Sequence, residues 1–317
     1  MGRIAIKAGT LAKDVEKVLE LTRKRVRYIQ IYGEVSSISA NSSANLLDFE
    51  VPSGYGLEVF AIGVQPDFDP TDRSSGLEYV YPREGTTSKA IPNMEFFANF
   101  NYNVLPYGDR ASKQPIRILD TPLKPNNLTL KFNEKEKFQL VGVAGSSAAG
   151  AVRAIAHAYL LEEADVRNVY GVGLSEFANL PGGHANLDQN FIYAKALSIT
   201  TSGSGSFEDA KSIDVPNWLR IMLTHIGVKP DANSYKMKLY DEKTKIEFPD
   251  RDPYWVIKEV SNTLPFGSHN DEQPMQPLPP VVASYEWNNT TMHIYVMDTG
   301  SASSIKVQLL GIQRRVR

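Results

Sequence analysis

Five histidines, a run of three aspartates and two arginine-rich clusters are the groups with which this chain could do chemistry. The histidines (His157, His184, His225, His269 and His293) stand singly, with no HExxH and no HxH pair, so no stretch supplies a local ligand set for zinc or iron. The same scatter argues against a two-domain cupin enzyme. His157 and His225 fall in apolar runs, where a half-buried, hydrogen-bonded histidine is expected rather than a catalytic one. The chain has no cysteine, which removes disulfides, thiolate metal sites and cysteine nucleophiles. Gly171-Val172-Gly173 lacks the third glycine of a dinucleotide fingerprint, no phosphate-binding Gly-x-x-x-x-Gly-Lys-Ser/Thr occurs, and Ser175 lacks the closing glycine of a nucleophile elbow. No catalytic residue, cofactor or enzymatic activity is expected.

Asp67, Asp69 and Asp72, in Pro66-Asp67-Phe68-Asp69-Pro70-Thr71-Asp72, could converge on a calcium ion through their oxygens. Asp beside Pro is also ordinary turn vocabulary, and the spacing lacks the glycine and terminal glutamate of an EF-hand loop. The basic clusters are Arg23-Lys24-Arg25 with Arg27, and Arg314-Arg315 with Arg317. Each could meet phosphate from a genome or from lipid head groups through a salt-dependent contact. The first also suits the cation-favouring C-terminus of a helix, and the second a solvated tail. With 34 basic against 36 acidic residues, no global field draws the chain to either partner, so any such contact is local.

The elements that must position these groups are mostly strands. One amphipathic helix comes first, with Leu11, Val15, Val18 and Leu19 on one face and Thr10 as its cap. From Tyr28 onward the pattern turns to β-branched and aromatic alternation, as in Tyr28-Ile29-Gln30-Ile31-Tyr32, punctuated by Gly, Pro, Asn and Ser. A second helix is predicted after Asp252-Pro253, where an acid and a proline precede Trp255, Val256, Val260 and Leu264. The opening residues lack the apolar stretch of a signal peptide, so the chain reads as soluble and made in the host cytoplasm, and the Asn-x-Ser/Thr sequences at Asn41, Asn127, Asn288 and Asn289 carry little weight.

The chain also matches itself. Val51-Pro52 followed by Ile62-Gly63-Val64-Gln65-Pro66-Asp67 recurs as Val215-Pro216 followed by Ile226-Gly227-Val228-Lys229-Pro230-Asp231, both pieces offset by 164 (215 minus 51, 226 minus 62). A weaker echo, offset by 155 (300 minus 145), places a hairpin at Gly145-Ser146 and another at Gly300-Ser301. A proline-rich loop precedes each. The order predicted twice is a Val-Pro strand, an Ile-Gly-Val-x-Pro-Asp turn, a proline-rich loop and a Gly-Ser hairpin. The expected class is all-β: an N-terminal helical arm over 1–27, then two tandem jelly-roll β-sandwiches over 28–165 and 166–317, the second carrying the short helix.

Duplicated β domains behind a leading helix, in a chain of this size without catalytic motifs, resemble the double jelly-roll major capsid proteins of tailless icosahedral viruses, including membrane-containing bacteriophages and their archaeal counterparts. The resemblance covers nearly the whole chain and rests on architecture. It implies a homotrimer whose six rolls stand upright in a pseudo-hexagonal block of the virion shell, contacting itself and other virion proteins. Leu11, Val15, Val18 and Leu19 would then form an assembly arm, and Arg23, Lys24, Arg25, Arg27, Arg314, Arg315 and Arg317 would face an internal membrane or the genome. The irregular stretches Asp67 to Pro92, Gly171 to Phe207 and Phe266 to Pro280 would be outer loops or arms. Two other classes stay open. A virion decoration, spike or carbohydrate-binding protein would expose aromatics such as Tyr79, Tyr81, Trp218, Trp255 or Trp287, although Trp218 reads more easily as core. An enzyme on a jelly-roll scaffold would need carboxylates converging from distant strands.

Overall fold

The computed structural model describes residues 27–66, 76–97, 116–117, 129–180, 182–186, 191–230, 235–248, 255–257, 276–278, 280–298 and 304–316. The helical arm with Leu11, Val15, Val18 and Leu19, the aspartates Asp67, Asp69 and Asp72, and Arg23, Lys24, Arg25 and Arg317 lie outside these residues.

The described chain is all-β in architecture, folded into four antiparallel sheets. The first ten strands are β1 (Arg27–Val35), β2 (Ser43–Glu50), β3 (Tyr55–Pro66), β4 (Leu77–Glu84), β5 (Lys89–Ala90), β6 (Phe96–Phe97), β7 (Ile116–Arg117), β8 (Leu130–Phe132), β9 (Lys137–Ala144) and β10 (Val152–Glu162). They form one sheet ordered β1-β10-β3-β7, with β8 also on β3, and a second ordered β2-β9-β4-β5, with β6 also on β4. Successive long strands alternate between sheets, which is the winding of a jelly roll and buries one face of each sheet against the other. The inward positions are Ile31, Leu47, Leu57, Val59, Val80, Phe132, Phe138 and Leu140.

The second set repeats this strand for strand: β11 (Phe191–Thr200), β12 (Glu208–Val215), β13 (Leu219–Pro230), β14 (Tyr235–Asp241), β15 (Glu247–Phe248), β16 (Trp255–Ile257), β17 (Gln276–Pro277), β18 (Glu286–Trp287), β19 (Thr290–Asp298) and β20 (Ser304–Arg315). Its sheets run β11-β20-β13-β17, with β18 on β13, and β12-β19-β14-β15, with β16 on β14. Two of the irregularities coincide as well. The β2–β9 ladder skips Leu46 and the β12–β19 ladder skips Ala210; β3 bulges at Phe60 and β13 at Thr224, all at the offset of 164 (210 minus 46, 224 minus 60).

Four details differ from the sequence reading. Val51-Pro52 lies in the turn that leaves β2, and Val215 is the last residue of β12 with Pro216 in the turn after it, while Ile62 to Pro66 and Ile226 to Pro230 are the ends of strands β3 and β13. The segments around Gly145 and Gly300 do not join hairpins: β9 pairs with β2 and β4, β10 with β1 and β3, so the connection crosses between sheets, as it does from β19 to β20. After Pro253 there is no helix over Trp255-Val256-Ile257 but the strand β16, because a β-branched and aromatic triplet pairs readily along β14. Among the described residues the helices are α1 (Glu163–Tyr170), a 3-10 turn over Leu174–Asn179, and the single turn α2 (Pro280–Ala283) in the second roll. Gly171 ends α1 in the left-handed region, φ 73°, and its N–H closes on Arg167 O at 3.0 Å. Of the supposed irregular stretches, Leu77–Glu84 and Phe191–Thr200 are strands, and residues 174–180 and 182–186 pack against the first roll through Phe177, Ala178 and His184.

A buried carboxylate closes the same turn in both rolls. Glu84 ends β4 and accepts the N–H groups of Thr86 and Thr87, each at 2.8 Å, and the Thr87 hydroxyl at 2.6 Å. Asp241 ends β14 and accepts the N–H groups of Lys243 and Thr244 at 2.8 and 3.1 Å and the Thr290 hydroxyl at 2.6 Å. Burial pushes the Glu84 pKa up, but the Thr87 and Thr86 bonds outweigh it and hold the group at about 2. Burial likewise opposes, and Thr290, Tyr285 and the turn N–H groups outweigh, in holding Asp241 low. A lowered folded-state pKa contributes stability above the ordinary value, near 4.5, and loses it as pH falls toward about 2. Glu84→Gln is therefore expected to cost on the order of 3 kcal/mol at pH 7. Denaturant melts should show that deficit closing below pH 4; a deficit constant with pH would contradict the assignment.

Candidate assembly interface

Among the described residues the two rolls meet in a joint along residues 91–97. Residues 91–97 of the first roll lie along β11 and β20 of the second. Ala194 N–H donates to Asn93 O at 2.7 Å and Glu95 N–H to Ala194 O at 3.0 Å, a parallel bridge centred on Met94. Two glutamines of β20 complete the joint. Phe97 N–H donates to Gln308 Oε1 at 3.0 Å while Gln308 Nε2 donates to Glu95 O at 3.0 Å. Gln313 Nε2 donates to Pro92 O and Ile192 O, both at 2.9 Å, and Asn93 Nδ2 donates to Gln313 Oε1 at 2.9 Å. Both glutamines are buried, so their bonds replace water that Phe97 N–H, Glu95 O and Pro92 O on the opposing roll have lost. Lys195 pairs with Glu95 at 2.8 Å, and Ser198 Oγ donates to Glu78 at 2.8 Å. Burial lowers the pKa of Lys306, with Glu78 opposing, as its Nζ sits 5.3 Å over the Phe97 ring. Ile192, Ala194 and Leu310, which point out of the second roll, belong to the same apolar cluster as Ile91, Met94, Phe96 and Phe97.

The first roll has the corresponding face. Arg27 stands opposite Leu160 as Phe191 stands opposite Gln313, and Tyr28 opposite Tyr159 as Ile192 opposite Ile312. Residues 27–66 thus correspond to 191–230 without a gap (191 minus 27, again 164). His157 and Leu310 also correspond, facing Gln30 and Ala194. Ile192, Ala194, Ala196, Leu310 and Ile312 are therefore replaced by Tyr28, Gln30, Tyr32, His157 and Tyr159. In the first roll these are solvated: Tyr28 is 51% exposed, Tyr32 61% and Tyr159 37%. Phe60, the bulged residue, stacks on Tyr159 at 4.8 Å and lies 6.2 Å from both Tyr28 and His157. Tyr28 and Tyr159 thus both contact Phe60, and the aromatic groups of this sheet face form a cluster rather than scattered apolar residues.

The remaining site residues are dispersed. Arg27, 5.7 Å over the Tyr55 ring, opens β1; Arg314 and Arg315 close β20 at the corresponding end of the second roll. Arg314 pairs with Glu286 at 3.3 Å, and Arg315 lies 5.6 Å over Trp218. Trp218 is 48% exposed on the turn after β12, not core as its repeated context suggested, whereas Trp287 is fully buried. A cleft of about 470 Å³ opens between the rolls at this end, lined by Glu84, Lys89, Glu136, His184 and Arg315 among others. His184 pairs with Glu136 at 2.8 Å, His293 with Asp209 at 2.6 Å, and buried His225 bonds Thr224 at 2.9 Å, where burial lowers its pKa. Among the described residues no group of three His, Cys, Asp or Glu could hold a metal ion, and no helix is long and apolar enough to cross a membrane.

No protein-family model and no curated protein matches the chain. Among solved structures it is similar to the STIV MCP (7% identity, 90% of this chain and 96% of that one, TM-score 0.44) and to the major capsid protein P2 from Bacteriophage PM2 (10%, 92% and 98%, TM-score 0.35). A peptide-N(4)-(N-acetyl-beta-D-glucosaminyl) asparagine amidase scores alike (10%, 90% and 96%, TM-score 0.35).

Proposed function

We propose that the chain is the building block of a viral capsid, and that copies assemble by repeating between chains the joint that 91–97 makes with β11 and β20 within one. The supporting observation is the pair of corresponding faces: one buried by the first roll, the other exposed and rich in tyrosine. The second roll offers the matching edge at β16, since Val256 pairs with Lys236 as Phe97 pairs with Tyr79. A contact between unlike surfaces propagates head to tail and closes when the rotation divides a full turn. With two rolls per chain, closure at three copies gives six similar joints, three within chains and three between them. Jelly rolls serve as capsid domains, and side-by-side rolls with corresponding ends aligned suit a shell.

In this reading the rolls divide at 165/166, and the end carrying Arg27, Arg314 and Arg315 faces the virion interior. Arg23, Lys24, Arg25 and Arg317 extend the same charge toward genome or membrane phosphate, and the arm with Leu11, Val15, Val18 and Leu19 packs on a neighbouring copy. Because the chain has no cysteine, the joint between chains can be tested directly. Ile155 corresponds to Gln308, opposite Tyr32 and Ala196 respectively, and Val256 to Phe97. A chain carrying Ile155→Cys and Val256→Cys is expected to link into covalent dimers and trimers on mild oxidation; a product that stays monomeric while wild type assembles would rule out this geometry.

A further inference from the structure

Resting on that reading for the direction in which this end of the molecule points, we propose that the open end of the second roll seats on an anionic lipid surface. Trp218 and Ile246 enter the lipid interface, and the cations around them meet lipid phosphate. Five large hydrophobic side chains are exposed among the described residues. Tyr28, Tyr32 and Tyr159 share the face of the first roll, whereas Trp218, 48% exposed, and Ile246, 40%, stand on two turns at the end of the second. Both turns line an open groove of about 600 Å³, Pro216 from the first and Lys243 and Lys245 from the second, together with Asn289 and Thr290. Hydrogen bonds fix the turn that carries the indole: Asn288 Nδ2 donates to Asn217 O at 3.0 Å and Leu219 O at 2.7 Å, and Val316 N–H to Trp218 O at 2.7 Å.

The first roll has the same turns without these side chains. Tyr55 N–H donates to Pro52 O as Leu219 N–H does to Pro216 O, and Ser88 and Lys245 both take positive φ, 54° and 61°. Trp218 corresponds to Gly54 and Ile246 to Lys89. Arg220, Lys243, Lys245, Arg314 and Arg315 correspond to Gly56, Thr86, Ser88, Leu161 and Glu162, none of them basic. The end of the first roll is covered by the chain itself: a Cβ on Gly56 would meet the Phe177 ring at 2.8 Å. One scaffold thus ends under its own segment, and the other ends open, apolar at two points and basic around them.

The carboxylates at this end are engaged. Glu286 pairs with Arg220 at 3.0 Å and Arg314 at 3.3 Å, Asp214 accepts from the Thr291 hydroxyl at 3.2 Å, Glu242 lies 3.7 Å from His293 Nε2, and Asp241 is buried in its turn. Lys243, Lys245 and Arg315, all exposed, are the groups that meet an incoming anion. An indole and an aliphatic chain set among cations match the bilayer interface, where tryptophan is favoured and anionic head groups attract lysine and arginine. A nucleic acid would give Ile246 no partner, and a protein interface centres on a core depleted of charge.

The test is flotation of the full chain with phosphatidylcholine vesicles, with and without phosphatidylglycerol, at low and high salt, thermal melts confirming folded rolls. Wild type is expected to float with the anionic vesicles at low salt, its tryptophan emission shifting to the blue, and to stay behind with phosphatidylcholine alone. The double variant Trp218→Ser, Ile246→Ser should bind at least about tenfold more weakly and lose the shift. Lys243→Gln with Lys245→Gln should lose about fivefold per lysine. Wild type that does not float, or either double variant floating like wild type, would overturn the inference. So would binding of a duplex oligonucleotide, in place of vesicles, that the same substitutions weaken. Light scattering of the same samples separates this inference from the reading it rests on. Trimers that ignore anionic vesicles leave the capsid assembly standing and remove the lipid contact; monomers at every concentration that float through Trp218 do the reverse.

Discussion

Exchanging Tyr28 and Tyr32 for aspartate is expected to leave a folded chain that no longer assembles. Both rings stand on the outward side of an edge strand, more than half exposed, so their loss opens no cavity in the core. In the proposed joint they occupy the positions of Ile192 and Ala196, where two unpaired carboxylates would be desolvated against a neighbouring copy. Aromatic anchors at the centre of an interface commonly contribute 2 kcal/mol or more each, and a buried unpaired charge costs several more, so affinity should fall by at least about a thousandfold. Sedimentation velocity should give the monomer, with a melting temperature within a few degrees of wild type. A variant that assembles normally would show that this face is not used.

Gln308→Leu is expected to cost the chain a large part of the stability that the joint contributes. It keeps side-chain volume but leaves Phe97 N–H without its acceptor and Glu95 O without a donor, in a place shut off from water. Each orphaned buried group costs about 1–3 kcal/mol, so roughly 2–6 kcal/mol is at stake. Because the bonds run between rolls, calorimetry should resolve one cooperative transition into two. A single transition at the wild-type temperature would contradict the coupling assigned to this residue. Ile155, the corresponding residue of β10, carries no amide, so the joint proposed between chains lacks this clamp and should be the first to open.

Much of the duplication was legible, because Val-Pro turns and Ile-Gly-Val-x-Pro strand ends carry backbone requirements that survive divergence. The correspondence reaches back to Arg27, but Tyr28-Ile29-Gln30-Ile31-Tyr32 against Ile192-Tyr193-Ala194-Lys195-Ala196 shows almost no identity: one strand faces solvent and the other a second core. Composition could not reveal which face of a strand is covered twice. Gln308 and Gln313 were missed for the same reason, since a glutamine in an apolar run signals nothing until its partners, over 200 residues earlier, are known. Trp-Val-Ile after Asp-Pro fits a helix start as well as a strand, and pairing with β14 decided between them. The turn carboxylates Glu84 and Asp241 could have been found, as acids two and three residues before the N–H groups they cap.

In the proposed assembly one joint, made once within the chain, is made again between chains. Its most direct measurement is the mass and outline of the purified protein at neutral pH, by light scattering and electron microscopy of single particles. A trimer with six lobes of similar size arranged around a ring, or shells built from such units, is the expected result. A monomer at all concentrations, showing two lobes and an exposed tyrosine face, would contradict it.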